Sequence, residues 1–169
     1  MLVLSRSEVE ALLEPDELID AVGGAMADLS AGRASMPPRI AAMVPDRDAL
    51  LGTMPCFLPS AGVLACKLVD VFPGNGALGM ETHQAVILCF DPTDGRPLAL
   101  MDGTAITAQR TAAGSALATR LLAREDARVL AIVGTGVQAR SHAAFVPRVR
   151  RFSETRIGGR NLVRAAELK

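Results

Sequence analysis

The 169-residue sequence has no tryptophan and no tyrosine, and its five phenylalanines are its only aromatic residues. Little surface is therefore available for stacking on nucleic-acid bases. The 18 lysines and arginines equal the 18 aspartates and glutamates, so the formal net charge is zero. A chain without excess positive charge has no electrostatic basis for binding nucleic acid, and we expect no such partner.

Cysteine is also scarce. Cys56, Cys66 and Cys89 lie in apolar surroundings, are odd in number and lack the spacing of metal ligands. They predict buried free thiols in a reducing compartment and no metal site. No apolar run approaches the length of a membrane span, and residues 1–6 lack the layout of a signal peptide. We therefore expect a cytoplasmic protein without a membrane partner.

The most informative segment that is present covers residues 129–140 (VLAIVGTGVQAR). Five apolar residues predict a short buried strand, which leads into Gly134-Thr-Gly-Val-Gln-Ala139 and then a helix. This order is the context in which G-x-G-x-x-G/A binds a dinucleotide. The first glycine permits the turn, the second lets a pyrophosphate approach the backbone, and the helix start attracts the anion. For the hexapeptide alone, an ordinary loop is the alternative.

The segment ahead of this turn predicts two helices and a sheet. The second helix, starting at Pro15, repeats apolar residues at helical spacing, which predicts one buried face made of Leu18, Val22, Met26 and Leu29. Residues 36–101 predict a mainly antiparallel sheet, with its last hairpin over 85–101. A long alanine-rich helix over 104–123 follows, with Asp102 as its N-cap.

After the glycine turn the pattern predicts a helix over 137–145, a second parallel strand over 155–158 and a further helix from Asn161. The predicted fold class is α/β. Residues 1–108 form an α+β substrate-binding and dimerisation region, and residues 109–169 form a linking helix and the first β-α-β of a Rossmann-type domain. Since a nucleotide-binding half needs β-α-β-α-β, we expect the sequence to be a fragment or truncated product of a longer protein.

Four side chains are candidates for chemistry. Lys67 lies among apolar neighbours; its ammonium either reaches water at an edge or sits in a pocket, where a lysine can exchange protons near neutrality. Arg39, stiffened by two preceding prolines, suits a bidentate grip on a carboxylate, or is a plain surface arginine. Arg110, among small residues that would bury its stem, suits a phosphate or carboxylate, or an ion pair with an acid. His83, at the start of a strand, could bind a ligand.

Nucleophilic catalysis has no support in the sequence. Ser115 and Ser141 have no base at a recognisable spacing, which gives no case for acyl transfer. His142, one turn or more into the helix after the glycines, is expected to be a solvated position.

The identity of the cofactor depends on residues 157–161 (IGGRN). NAD-preferring domains place an acid about 20 residues beyond the glycines to hold the ribose hydroxyls. No carboxylate is present here, and Arg160 suits a 2′-phosphate. The cofactor is therefore NAD or NADP, with NADPH slightly favoured.

Five segments together resemble the ornithine cyclodeaminase/mu-crystallin family. They are 67–75 (KLVDVFPGN), 82–84 (THQ), 100–107 (LMDGTAIT), 110–113 (RTAA) and 134–139 (GTGVQA). They occur in the family's order, and the likeness covers nearly the whole chain. The resemblance implies an α/β enzyme in which a substrate-binding, dimerising region precedes a nicotinamide-binding domain.

The resemblance also implies residue roles. Arg39 matches the substrate-carboxylate arginine, Lys67 the active-site lysine, Arg110 the arginine between substrate and cofactor, and His83 a ligand-pocket residue. Of these, Arg39, Lys67 and Arg110 would be catalytic. The implied cofactor contacts are Arg110, Thr111, Gly134, Thr135, Gly136, Val137, Gln138, Arg160 and Asn161. Two departures weaken the match: the family's catalytic aspartate is expected beyond Lys169, and Gly159 replaces a more polar residue of mu-crystallin.

The implied activity is hydride transfer on a small amino or imino acid by an NAD(P)-dependent homodimer. Ornithine cyclodeamination and ketimine or pyrroline-2-carboxylate reduction are the candidate reactions. We expect Arg39 and Arg110 to anchor the substrate carboxylate and Lys67 to shuttle a proton. The alternatives are a non-catalytic NADPH-dependent ligand-binding protein and an inactive fragment.

Overall fold

A computed structural model describes residues 1–168 and shows the mixed α/β fold that the sequence predicts. By their internal contacts the residues form two compact units, one of Met1–Leu12 and Ala25–Thr107, the other of Leu13–Gly24 and Ala108–Lys169. In chain order the elements are β1 (Leu2–Leu4), α1 (Arg6–Leu12), α2 (Pro15–Ser30), β2 (Ile40–Val44), β3 (Ala49–Leu58), β4 (Val63–Val71), β5 (His83–Phe90), β6 (Pro97–Asp102), α3 (Gly103–Leu122), β7 (Val129–Val133), α4 (Val137–Phe145), β8 (Glu154–Gly158) and α5 (Leu162–Ala166).

The first unit is built on a six-stranded sheet in the order β1-β6-β5-β4-β3-β2. All neighbouring strands are antiparallel except β1 and β6, which pair in parallel with Leu2 opposite Ala99. The mainly antiparallel sheet is therefore confirmed. The sequence did not predict β1, because three residues are too short for a periodic pattern and their hydrogen-bonding partner is distant in sequence.

Three consecutive residues join the sheet to α3. The Asp102 carboxylate accepts a hydrogen bond of 2.7 Å from the Ala105 N–H, which confirms the predicted N-cap. The Thr104 hydroxyl accepts one of 3.0 Å from the Ala85 N–H of β5. A Cβ added to Gly103 would lie 3.0 Å from Ala85 backbone and side-chain atoms, so only glycine fits there without a shift. This segment therefore fixes the start of α3 on the sheet.

The second unit contains a two-stranded parallel sheet, β7 and β8, with Val129 opposite Glu154. Its apolar core comprises Ile19, Ala112, Ala113, Ala116 and Phe145. The alanines of α3 let the neighbouring helices approach closely, because their side chains are small.

The prediction that α2 buries one apolar face is wrong in part. Leu18 and Val22 pack against the core of the second unit, but Met26 is 52% and Leu29 is 41% exposed. Ile19, which the pattern did not select, is the fully buried residue. The helical spacing identified an apolar stripe, whereas the burial of each member depends on which element covers it.

Among the described residues, no helix has both the length and the apolar character needed to cross a bilayer. Cys56, Cys66 and Cys89 are free thiols as predicted, but each is half-buried rather than buried. Within residues 1–168, histidine, cysteine and acidic side chains form no group of three or more that could hold a metal ion.

Candidate active site

The glycine turn lies between β7 and α4, as the sequence predicts. The strand itself is less buried than predicted, since Val129 is 44% and Val133 is 94% exposed. Gly134 adopts φ 130°, a backbone conformation that side chains with a Cβ rarely adopt. Its N–H donates a 2.7 Å hydrogen bond to the Gly158 carbonyl at the end of β8. The first glycine is therefore required by the turn itself.

Gly136 plays a different part. It is the N-cap residue of α4, with ordinary extended φ and ψ of −92° and −168° and no side-chain cap. A Cβ added there would meet nothing within 4 Å, so the space in front of the helix is open. The first N–H groups of a helix have no partner within the helix, and they attract an anion. Ala139, buried at 6% exposure, completes the motif.

The end of β8 packs closely on this turn. A Cβ added to Gly159 would lie 2.8 Å from the Thr135 side chain, which leaves no room for a larger residue. A larger residue at position 159 would therefore require the Thr135 side chain to shift.

Beyond Gly159, Arg160 is exposed and has no hydrogen-bond or ion-pair partner among residues 1–168. Asn161 caps α5, and its side-chain oxygen accepts a 3.0 Å hydrogen bond from the Arg164 N–H. The amide NH₂ of Asn161 therefore remains available to a ligand. The turn, Arg160 and Asn161 all lie at the carboxyl ends of the parallel strands, which is where α/β sheets bind ligands.

In the first unit, Lys67 lies half-buried in β4. It is directly opposite Met54 of β3 and Ile87 of β5, and Ile87 is opposite Met101 of β6. Directly opposed residues project from the same face of a sheet, so Lys67 lies in an apolar row. Two residues along β5, burial raises the pKa of the Cys89 thiol above its ordinary value. This part of the face is therefore partly withdrawn from water.

His83 lies on the same face as Lys67, and Arg39 directly precedes the edge strand β2. Ile40 pairs with Thr53, and this register continued by one residue places Arg39 opposite Met54, in the row of Lys67. Two strand spacings separate Arg39 from Lys67, or roughly 10 Å between backbones. His83, the first residue of β5, is opposite Val71, four residues along β4 from Lys67 or roughly 13 Å.

The remaining predicted residues lie on α3 in the second unit. Arg110 is exposed, although its small neighbours had predicted a buried stem. It has no ion-pair partner among the described residues, so the acid proposed as its alternative partner is not found. Thr111 is half-buried on the same helix.

One hydrogen bond between two helices of the second unit was not predicted from the sequence. The Ser115 hydroxyl lies 2.8 Å from His142 Nε2, and His142 Nδ1 lies 2.7 Å from the Gln138 carbonyl. With Nδ1 donating to that carbonyl, Nε2 accepts from the serine. His142 is therefore a half-buried link between α3 and α4, and the expectation of a solvated position is wrong. No local signal could find it, because the partners lie 27 residues apart on different helices.

A family model for ornithine cyclodeaminase and mu-crystallin matches residues 1–167. The chain belongs to the ornithine cyclodeaminase/mu-crystallin family. The segments that carried the resemblance thus lie within a match that spans almost all of the chain.

Three relatives illustrate this membership. Ketimine reductase mu-crystallin of Mus musculus is 39% identical over 161 residues, which cover 93% of this chain and 51% of that protein. The structure of Thermococcus litoralis Δ1-pyrroline-2-carboxylate reductase in complex with NADH and L-proline has a TM-score of 0.93 at 39% identity, covering 99% of this chain and 52% of that one. An archaeal alanine dehydrogenase dimer with bound NAD gives 0.93 at 32% identity, covering 99% and 51%.

The family relationship is with oxidoreductases whose named substrates differ. The chain spans about half the length of the relatives that it matches.

Proposed function

We propose that this chain forms part of an NAD(P)-dependent oxidoreductase that transfers a hydride between a nicotinamide cofactor and a small amino or imino acid. The observation that carries the proposal is the glycine turn, where Gly134 at positive φ and Gly136 with open space around it precede the helix α4. The ligands named for the relatives, NADH with L-proline and NAD, support the same chemistry. Because the chain spans about half of each relative, we expect residues 1–169 alone to lack turnover.

The residues of the turn fit a dinucleotide. The pyrophosphate would be held by the main-chain N–H groups of Gly136, Val137 and Gln138, where the helix dipole favours negative charge. Arg160, exposed and without a partner, would hold a 2′-phosphate through charge-assisted hydrogen bonds. No carboxylate occupies residues 157–161 to bind ribose hydroxyls, so NADPH is favoured over NADH.

The substrate is assigned to the face of the sheet that carries Arg39, Lys67 and His83. Arg39 would pair with the substrate carboxylate, because a guanidinium binds both oxygens at once. Lys67 would exchange a proton with the imine nitrogen or with an attacking water, and its apolar row excludes bulk water from that transfer. His83 would hydrogen-bond the ligand. When bound, the nicotinamide supplies the hydride chemistry.

Arg110 and Thr111 complete the proposed set. Arg110 has a guanidinium without a partner among the described residues, and it suits a phosphate or a carboxylate. The candidate substrates are pyrroline-2-carboxylate or a related ketimine, and ornithine. Each carries the carboxylate that the arginines require.

A homodimer is part of the proposal. Ile40 is 71% and Val86 is 40% exposed, and both lie in one row on the opposite face of the sheet, with Thr53 and Leu68 between them. Exposed apolar surface of this kind marks an interface. The dimer named for the alanine dehydrogenase relative supports the same arrangement.

The test of the cofactor assignment is a titration of the chain with NADPH and NADH, followed by nicotinamide fluorescence. Arg160→Ser is expected to weaken NADPH binding about tenfold, the loss of one charge-assisted contact, and to leave NADH binding unchanged. Arg164→Ser, an exposed arginine on α5, is the matched control. Equal affinity of the unchanged protein for NADH and NADPH would contradict the preference, and no binding of either would contradict the cofactor site.

A further inference from the structure

A second cationic site lies on the second unit, away from the glycine turn. A cleft of about 410 Å³ is lined chiefly by charged residues, namely Glu125, Arg128, Arg148, Arg150 and Arg151. Arg128 directly precedes β7, and Arg150 and Arg151 precede β8. The cleft therefore lies at the amino ends of the two parallel strands. Each strand has five residues, or roughly 16 Å, and the glycine turn is at their other end.

Several acids in the segments around this cleft are already paired, Asp126 with Arg124 among them. Asp16 accepts hydrogen bonds of 2.6 and 2.7 Å from Arg148, which lower the pKa of its carboxyl. Glu154 accepts two from Arg156, at 2.7 and 2.8 Å. Glu125 is the acidic residue in the lining.

Because Arg148 is paired with Asp16, the remaining charged residues of the lining are three arginines and Glu125. The cleft therefore carries a local excess of two positive charges, the three arginines less Glu125. Such an excess attracts a doubly charged anion.

Two of these guanidinium groups are each held in place by hydrogen bonds from one of their own nitrogen atoms. Arg150 donates through Nη2 to the carbonyls of Thr119 and Ala123, at 3.4 and 3.2 Å, near the C-terminus of α3. Its Nε is buried and has no partner among residues 1–168. Arg128 donates through Nη1 to two carbonyls of its own loop, at 3.3 and 3.4 Å. Arg150 therefore keeps donors on its two terminal nitrogens, since its Nε is buried, and Arg128 keeps donors on Nε and Nη2.

Arg151 adds a third group. It is exposed, and in the described part of the chain it has no hydrogen-bond or ion-pair partner. Three guanidinium groups with unused donors around one cleft suit an anion with several oxygens, because each planar fork matches two oxygens of a phosphoryl group.

We propose that this cleft binds the phosphoryl group of a small organic phosphate, held by Arg128, Arg150 and Arg151. The volume lies in the range of small-molecule sites, roughly 300 to 1,000 Å³, which favours a phosphomonoester over the bare ion. The double charge of a phosphomonoester balances the local excess. The site is independent of the proposed oxidoreductase function, because none of its residues belongs to the glycine turn or to the sheet face of Lys67.

The test is calorimetric titration of the chain with glycerol phosphate, inorganic phosphate and glycerol at constant ionic strength. Glycerol phosphate is expected to bind more tightly than inorganic phosphate, and glycerol not to bind. Arg151→Ser and Arg128→Ser are each expected to weaken glycerol phosphate about tenfold. Arg124→Ser is the matched control, since Arg124 is a nearby exposed arginine, paired with Asp126 at 3.4 Å, outside the cleft.

Four outcomes would overturn the proposal. No saturation below about 10 mM would reject a site. An equal loss with Arg124→Ser would show general surface attraction. Inorganic phosphate binding as tightly as glycerol phosphate would reject an organic ligand. A loss with Gly136→Val, which leaves the arginines untouched, would place the phosphate at the glycine turn.

Discussion

Gly134 and Gly136 are separated by one residue, yet the structure predicts opposite consequences when each receives a side chain. At Gly134 the backbone has φ 130°, so Gly134→Ala strains the chain by about 1–3 kcal/mol whatever space is available. For a chain of this size that strain lowers the melting temperature by roughly 2–12 °C. The Gly134 N–H bond to Gly158 would be distorted as well.

Gly136→Val should impair cofactor binding more than it impairs stability. Its φ of −92° and ψ of −168° suit a β-branched residue, and an added Cβ meets nothing within 4 Å. Because Gly136 is the N-cap residue of α4 and valine is disfavoured there, stability should fall by about 0.5–1 kcal/mol, without the backbone strain expected at Gly134. The isopropyl group would occupy the open space through which a pyrophosphate approaches the backbone. We expect NADPH affinity to fall by about tenfold or more, a loss of about 1.4 kcal/mol.

Thermal unfolding and NADPH titration of both variants, together with Gly136→Ala as an intermediate, separate the two effects. Gly134→Ala is expected to unfold early, and Gly136→Val to bind NADPH weakly with a smaller fall in melting temperature. Unimpaired NADPH binding by Gly136→Val would refute the assignment of the open space to the cofactor. A normal melting temperature for Gly134→Ala would refute the strain argument.

Three further predictions concern the sheet unit. In a form of the protein that turns over an imino acid with NADPH, Lys67→Ala should abolish turnover without changing the NADPH Kd, and retained turnover would remove Lys67 from the mechanism. Asp28 is buried, and hydrogen bonds from Ser60 and, to a lesser extent, from Arg33 lower the pKa of its carboxyl in the folded protein. The carboxylate therefore stabilises the fold above about pH 4, the pKa of an aspartate in the unfolded chain, and this stabilisation is lost as the pH falls through the lower pKa of the folded protein. Asp28→Asn should therefore lower the melting temperature at pH 7 and reduce its decline in acid; an unchanged pH profile would contradict this. Ile40→Glu should dissociate a dimer in sedimentation velocity, and an unaltered dimer would exclude this face of the sheet.

Features of short range were readable from the sequence. The five apolar residues of β7, the glycines after them and the start of α4 are adjacent, so their pattern predicted the turn directly. The Asp102 cap of α3 follows from the same local logic. The family resemblance rested on segments that include these positions, and the family match covers residues 1–167.

The candidate site was predictable as a set of residue types but not as an arrangement. Lys67 stood out because a lysine interrupts an apolar strand, whereas its membership of one face with Arg39 and His83 depends on strand register. The link between Ser115 and His142 had no local signal at all. Register and helix contacts join residues that are distant in sequence, and periodicity within one segment carries no information about them.

The amino-acid sequence by itself determined the glycine turn, the helix caps and the alternation of the strands, because these depend on backbone preferences within a few residues. Tertiary structure alone decided that Ile19 and not Met26 is buried, that Gly159 is confined by Thr135, and that three arginines from separate positions share one cleft. Burial, close approach and charge clustering are properties of surfaces brought together by folding. They arise only when each residue has acquired its neighbours.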